Sequence, residues 1–187
     1  MTLQQILTNA RERYMQAFLQ ARGELAANQP KTASEVLISI NNEAIPYPYR
    51  YLRVDLLHAT TEDAPVPTEV RIGPPPSFTP QIFQTGPLKL EVHPFNWNDV
   101  QILFNQAPKN IRQIEGWILH CLDINGQNPP NAARLTGAIH SFSQISDNGT
   151  WWRFLGDFGT APIETLVEFV NLLGGQGMTH IVIRSDT

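Results

Sequence analysis

Five histidines and one cysteine are the residues of this 187-residue chain best suited to nucleophilic or metal chemistry, and their spacing supports neither. His58, His93, His120, His140 and His180 are scattered, and no two fall at ligand spacing on one expected element. Cys121 stands alone, so it can form neither an internal disulfide nor a cysteine-based zinc site. The phosphate, serine-hydrolase and zinc-protease templates are all missing. Gly174, Gly175 and Gly177 follow an expected helix instead of opening one, which suits a helix stop better than a phosphate cradle. Of the carboxylate pairs, Glu62-Asp63 falls in a loop and Glu164 with Glu168 on the polar side of a helix, both solvated settings. No metal or cofactor is expected.

Binding chemistry is better represented. Tyr47-Pro48-Tyr49-Arg50-Tyr51 holds three of the four tyrosines at alternating positions. In an extended chain those rings share a face with Arg53 and Asp55, while Leu52, Val54 and Leu56 face the core. Tyrosine and arginine are common interface anchors, being large and amphipathic. Trp151 and Trp152 must point to opposite sides of a strand, so one indole is left for a contact surface. The expected binding set is therefore Tyr47, Tyr49, Arg50, Tyr51, Arg53, Trp151 and Trp152. A competing reading gathers His58, His93 and Asp55 into the pocket of an enzyme or small-molecule binder. His58-Ala59-Thr60 matches one half of the His-x-Thr pair that two-histidine phosphoesterases need, but neither His140-Ser141-Phe142 nor His180-Ile181-Val182 supplies the other. His120, between Ile118 and Leu122, reads as a hydrogen-bonded core histidine.

The elements that position these residues follow from periodicity. Leu3, Leu7, Ala10, Tyr14, Phe18, Ala21 and Leu25 make one stripe of a helix over residues 1–28, with Thr2 and Gln5 as a capping box and Pro30 as its stop. Such a stripe suits packing against a sheet better than a dimer seam. Val36, Ile38 and Ile40 then Leu52, Val54 and Leu56 predict a long-looped hairpin. Residues 64–80, with six of the fifteen prolines, form a surface excursion with a short strand near Glu69–Ile72. Leu88, Leu90 and Val92 predict a strand, and Asn96 with Asp99 the start of a helix. Trp117–Ile124 suits a central strand, with a helix from Asn110 as the alternative. Leu135–Ile145 and Trp151–Phe158 predict strands joined at Asp147-Asn148-Gly149, followed by a helix from Thr160 and a last strand at Met178–Ile183. Offsetting the chain by 63 residues aligns 95–123 with 158–186, Phe95 on Phe158 and Leu103 on Leu166 among them. The expected fold is a single α+β domain over 1–187, its largely antiparallel or mixed sheet packed with helices. It divides into the N-terminal helix, a sub-repeat at 34–124 carrying the 64–80 insertion, and a second at 132–187, as if a ββαβ unit were duplicated.

Composition narrows the partners. Only 16% of residues are charged, with 3 Lys and 10 Arg and a net charge of −4, a poor footprint for duplex nucleic acid. No apolar run is long enough for a membrane span, and no secretory leader opens the chain, so a soluble cytoplasmic protein is expected. Asn and Gln, 13 of each, replace the missing charges and cost less to desolvate in a contact. The sequence therefore points to a non-enzymatic interaction domain of adaptor, assembly or immunity type, its partner another protein or a second copy of itself.

Overall fold

The computed structural model describes residues 1–29, 31–59 and 64–185. Pro30, Thr60 and the Glu62-Asp63 pair lie outside the described residues. Helix α1 (Leu3–Asn28) starts at the expected capping box: Thr2 Oγ1 accepts from the Gln5 amide, and Gln5 Oε1 from the Thr2 amide. Its buried face is Ile6, Leu7, Ala10, Tyr14 and Phe18, four of which belong to the expected stripe.

Strands β1 (Lys31–Ser39) and β2 (Tyr51–Ala59) form the expected antiparallel hairpin, and β3 (Val66–Thr68) adds to β2. This short strand lies ahead of the expected Glu69–Ile72 position. The chain continues through β4 (Gln81–Thr85), β5 (Leu88–Val92), β6 (Val100–Phe104), α2 (Ile111–Leu122), β7 (Ser141–Phe142), β8 (Ser146–Asp147), β9 (Trp152–Asp157), α3 (Ile163–Gly175) and β10 (His180–Arg184). The seven-stranded second sheet runs β4-β5-β10-β6-β9-β7, with β8 also on β9. Among the described residues only β10 and β5 pair in parallel, so the architecture is α+β with an antiparallel and a mixed sheet. No helix among the described residues is long and apolar enough to cross a membrane.

Several expectations are corrected, and for residues 110–124 the helical alternative holds. The segment from Asn96 is β6, not a helix. Asn96 and Asp99 close a tight turn, and the Asn96 side chain donates to Gly73 O instead of capping. All five residues of β6 are buried between β10 and β9, so both faces are covered and no amphipathic stripe survives. Residues 111–122 are helical, with Asn110 Oδ1 accepting from the Gln113 amide and Ile114, Ile118, Cys121 and Leu122 turned inward. His120 is consequently an exposed residue of the last turn of α2 and not a core histidine. Of Leu135–Ile145, only Ser141–Phe142 is a strand. The 63-residue offset accordingly lays β6 over α3 and much of α2 over β10, elements of different type.

Candidate functional site: a buried histidine among carboxylates

The register of the first hairpin determines the site. Ser34 pairs with Leu56 and Val36 with Val54, which leaves Glu35 opposite Asp55, two carboxylates across the ladder. Both are buried, and Glu35 has φ 53°, a backbone region costly for a residue with a side chain. The imidazole of His140 sits between them, with Nδ1 2.8 Å from Asp55 Oδ1 and Nε2 3.6 Å from Glu35 Oε1. His140 lies just before β7, and its backbone spans the two sheets. Its carbonyl accepts from the Arg53 amide of β2, and its amide donates to Asp157 O at the end of β9.

Each group has a defined set of partners. Tyr14, from the middle of α1, donates its hydroxyl to Asp55 Oδ1 at 2.5 Å, and the Val70 amide donates to Oδ2. Glu35 accepts from the Thr136 amide and hydroxyl at 2.8 and 2.9 Å, and from the Thr160 hydroxyl. Asp157 Oδ1 accepts from the Gly159 amide, and Oδ2 is 3.9 Å from His140 Nδ1. Tyr14 and Phe18 flank the imidazole, with centroids 6.3 and 6.4 Å away. Gly159 closes the remaining side: its φ is +47°, and a Cβ there would lie 2.1 Å from His140 Cδ2. Only the side chain of Asp157, 25% exposed, meets solvent, against 1% for His140 and 3% for Asp55.

Electrostatics follow from this enclosure. Burial disfavours the imidazolium, but the hydrogen bond to Asp55 and the facing Glu35 carboxylate outweigh it and push His140 up to about 10. Burial would also raise Glu35 and Asp55, yet His140 and their other donors hold both below the usual carboxylate range. Asp157 lacks so close a partner; burial, with Asp55 adding to it and His140 opposing, pushes it up to about 7. The Tyr14 phenol is raised, first by burial and then by the surrounding carboxylates. Among the described residues, Asp55, His140 and Asp157 form a trio whose ligand atoms all lie within 4.8 Å of one another.

The residues singled out in the sequence are placed elsewhere or differently. Tyr47 is 49% exposed and meets Tyr51 edge-on at 5.4 Å, at the tip of the β1–β2 hairpin. Tyr49 is half-buried against the core, and burial, with Glu115 adding to it, pushes its phenol up to about 12. Arg50 is half-buried. Arg53 does not face solvent with the tyrosines: its guanidinium donates to Leu122 O, Glu35 O and Asp123 O, tying the C-terminal end of α2 to the hairpin. Trp151 and Trp152 are both half-buried; Trp151 lies edge-on to His180, and Trp152 packs against the core. His58, His93 and Asp55 do not assemble. His93 bonds Glu91, Asp55 bonds His140, and His58 Nδ1 is buried without a hydrogen-bond partner.

Sequence reasoning missed Glu35, His140, Asp157 and Thr160. Apart from Asp157 and Thr160 they lie far apart in the chain, up to 125 residues for Glu35 and Thr160, and the one usable signal was the hairpin register that sets Glu35 against Asp55. No protein-family model, curated protein or solved structure matches the chain.

Proposed function

We propose that the chain is a non-enzymatic protein-interaction domain of the assembly kind, which pairs with a second copy of itself along the free edge of β4. The observation that carries this reading is the chemistry of that edge. β4 is the terminal strand of the seven-stranded sheet, and its residues Gln81-Ile82-Phe83-Gln84-Thr85 carry no charge. Ile82 is 62% exposed, the most exposed of the large apolar side chains. Terminal strands are ordinarily guarded by charges, prolines or bulges, because their unpaired N–H and C=O groups accept another strand. None of these guards stands within β4.

Antiparallel pairing of two copies about Phe83 would set Gln81 opposite Thr85 and Ile82 opposite Gln84. No like charges meet, and the contact closes as a two-fold dimer. One flank adds apolar surface: Phe83, Leu3, Leu88 and the exposed Val167 line a cavity of about 180 Å³ beside the strand. An enzymatic reading has less support, because the buried cluster of acid–base groups around His140 is closed except at Asp157. A second interaction surface is favoured by a separate observation. Tyr47 and Tyr51 meet edge-on at the hairpin tip with Tyr47 exposed, which suits an adaptor or immunity partner of different sequence.

Sedimentation equilibrium separates these readings. The wild-type protein is expected at twice 21.0 kDa, and Ile82→Lys combined with Gln84→Lys at 21.0 kDa with an unchanged circular-dichroism spectrum. A wild type that stays monomeric at about 100 µM, well above the micromolar range of transient pairs, overturns the proposal. So does a dimer that keeps its mass with both lysines in place. A dimer lost in Tyr47→Ser with Tyr51→Ser instead would move the interface to the hairpin tip.

A further inference from the structure

The geometry points to a divalent-cation site at the seam between the sheets, with Asp55 Oδ1, His140 Nδ1 and Asp157 Oδ2 as ligands of one first-row transition metal of the zinc class. This differs from the sequence expectation of no metal, and it is independent of the β4 edge.

Distances come first. Ligands about 2.0–2.2 Å from one ion stand roughly 3–4 Å apart. Nδ1 lies 2.8 Å from Asp55 Oδ1 and 3.9 Å from Asp157 Oδ2, so an ion that displaces the Nδ1 proton to solvent and opens the first contact slightly fits between the three atoms. The atoms turned away from that point are held by backbone donors. Asp55 Oδ2 takes the Val70 amide at 2.6 Å, and Asp157 Oδ1 takes the Gly159 amide at 2.8 Å. Each carboxylate is thus oriented by a backbone donor; Asp157 Oδ2 is left for the centre, and Asp55 Oδ1, which accepts from the Tyr14 hydroxyl, would share that bond with the ion.

The histidine provides the separate observation. Its imidazole is 1% exposed, yet Nε2 has no hydrogen-bond partner, and it faces Glu35 Oε1 at 3.6 Å. Ligation through Nδ1 makes Nε2 an N–H donor aimed at a carboxylate that Thr136 and Thr160 hold in place. A carboxylate behind the second ring nitrogen is the usual support of a metal-bound histidine, since it fixes the tautomer and ring orientation. Charge agrees with this, because three carboxylates surround a single imidazole.

Ligand chemistry selects the ion. One imidazole nitrogen with two carboxylate oxygens suits zinc, manganese or iron(II) better than a soft ion, and Cys121 is not among the ligands. Calcium requires six to eight oxygens, which this enclosed corner does not offer. The exposed flank of Asp157 provides both the entry path and room for a solvent ligand. A bound ion would join β2 of the first sheet to the end of β9 in the second, so its expected role is structural.

The test uses full-length protein stripped with a chelator and titrated with zinc alone. One ion per chain is expected, with a rise in melting temperature of about 5–10 °C at a hundredfold excess over Kd. Asp157→Asn keeps an oxygen for the Gly159 amide and is expected to weaken zinc at least about tenfold and remove most of the rise. Glu91→Gln disrupts the surface group of Lys89, His93 and His180 and is expected to leave binding unchanged. X-ray absorption of the cobalt-loaded wild type should show a single imidazole with oxygen ligands, a readout that does not depend on any variant folding. Absence of a zinc-dependent rise, a rise retained by Asp157→Asn, binding abolished by Glu91→Gln, or two or more imidazoles at the metal would each overturn the assignment.

Discussion

His140 is enclosed so tightly that the residue beside it has almost no freedom to change. Gly159 has φ +47°, and any Cβ at that position enters the imidazole ring. Gly159→Ala therefore combines overpacking with backbone strain, which together are expected to cost about 2–4 kcal/mol. For a domain of this size that is a fall of roughly 5–15 °C in melting temperature by circular dichroism. A change within a degree or two of wild type would mean that the ring is free to move aside. The enclosure also explains why His140 reads as unremarkable in the sequence. Its importance rests on Glu35, Asp55 and Asp157, none of which is near it in the chain. Arg53 illustrates the opposite case. Its position beside three tyrosines suggests a surface cation, but the fold spends it on three backbone carbonyls.

Elements with one covered face were legible, and elements covered on both faces were not. The stripe of α1, the apolar side of α3 and the alternation of β5 are one-sided patterns, which a periodicity reading detects. β6 is buried throughout, so Val-Gln-Ile-Leu-Phe has no polar side, and the nearby Asn96 and Asp99 imitate a helix start. The α2 segment is similarly rich in apolar residues, and only its stripe of Ile114, Ile118 and Cys121 separates helix from strand. Pairing between strands distant in sequence also sets the surface ladder of β5 and β10. Glu91 meets Lys89 on its own strand, His93 just past its end and His180 on the next. The bonds from His93 and Lys89 hold Glu91 at about 2, below its ordinary 4.5. A depressed carboxylate stabilises the fold above its unfolded value, and that contribution is lost as pH falls from about 4.5 toward 2. On this solvated ladder the effect is expected to stay below about 1 kcal/mol. Chemical denaturation of Glu91→Gln should then differ slightly from wild type at pH 7 and match it at pH 2. A loss of several kcal/mol at pH 7 would contradict the solvated reading.

The molecule as a whole has two sheets but one core. Tyr14 and Phe18 of α1, Leu56 of β2, Ile102 of β6, Phe158 just after β9, and Leu166 of α3 belong to a single buried cluster. Calorimetry of the wild type is accordingly expected to show one transition, with the calorimetric enthalpy equal to the van't Hoff value. Two resolved transitions would show that the hairpin sheet and the seven-stranded sheet melt separately.

The peptide groups on either side of the His140 α-carbon have a consequence of their own. The amide takes the Asp157 carbonyl of one sheet, and the carbonyl takes the Arg53 amide of the other. Parting the sheets must break at least one of the two bonds. In heavy water, deuterium uptake at Arg53 compared with His140 would therefore tell on which side of His140 the seam opens, and how often, within an otherwise folded chain.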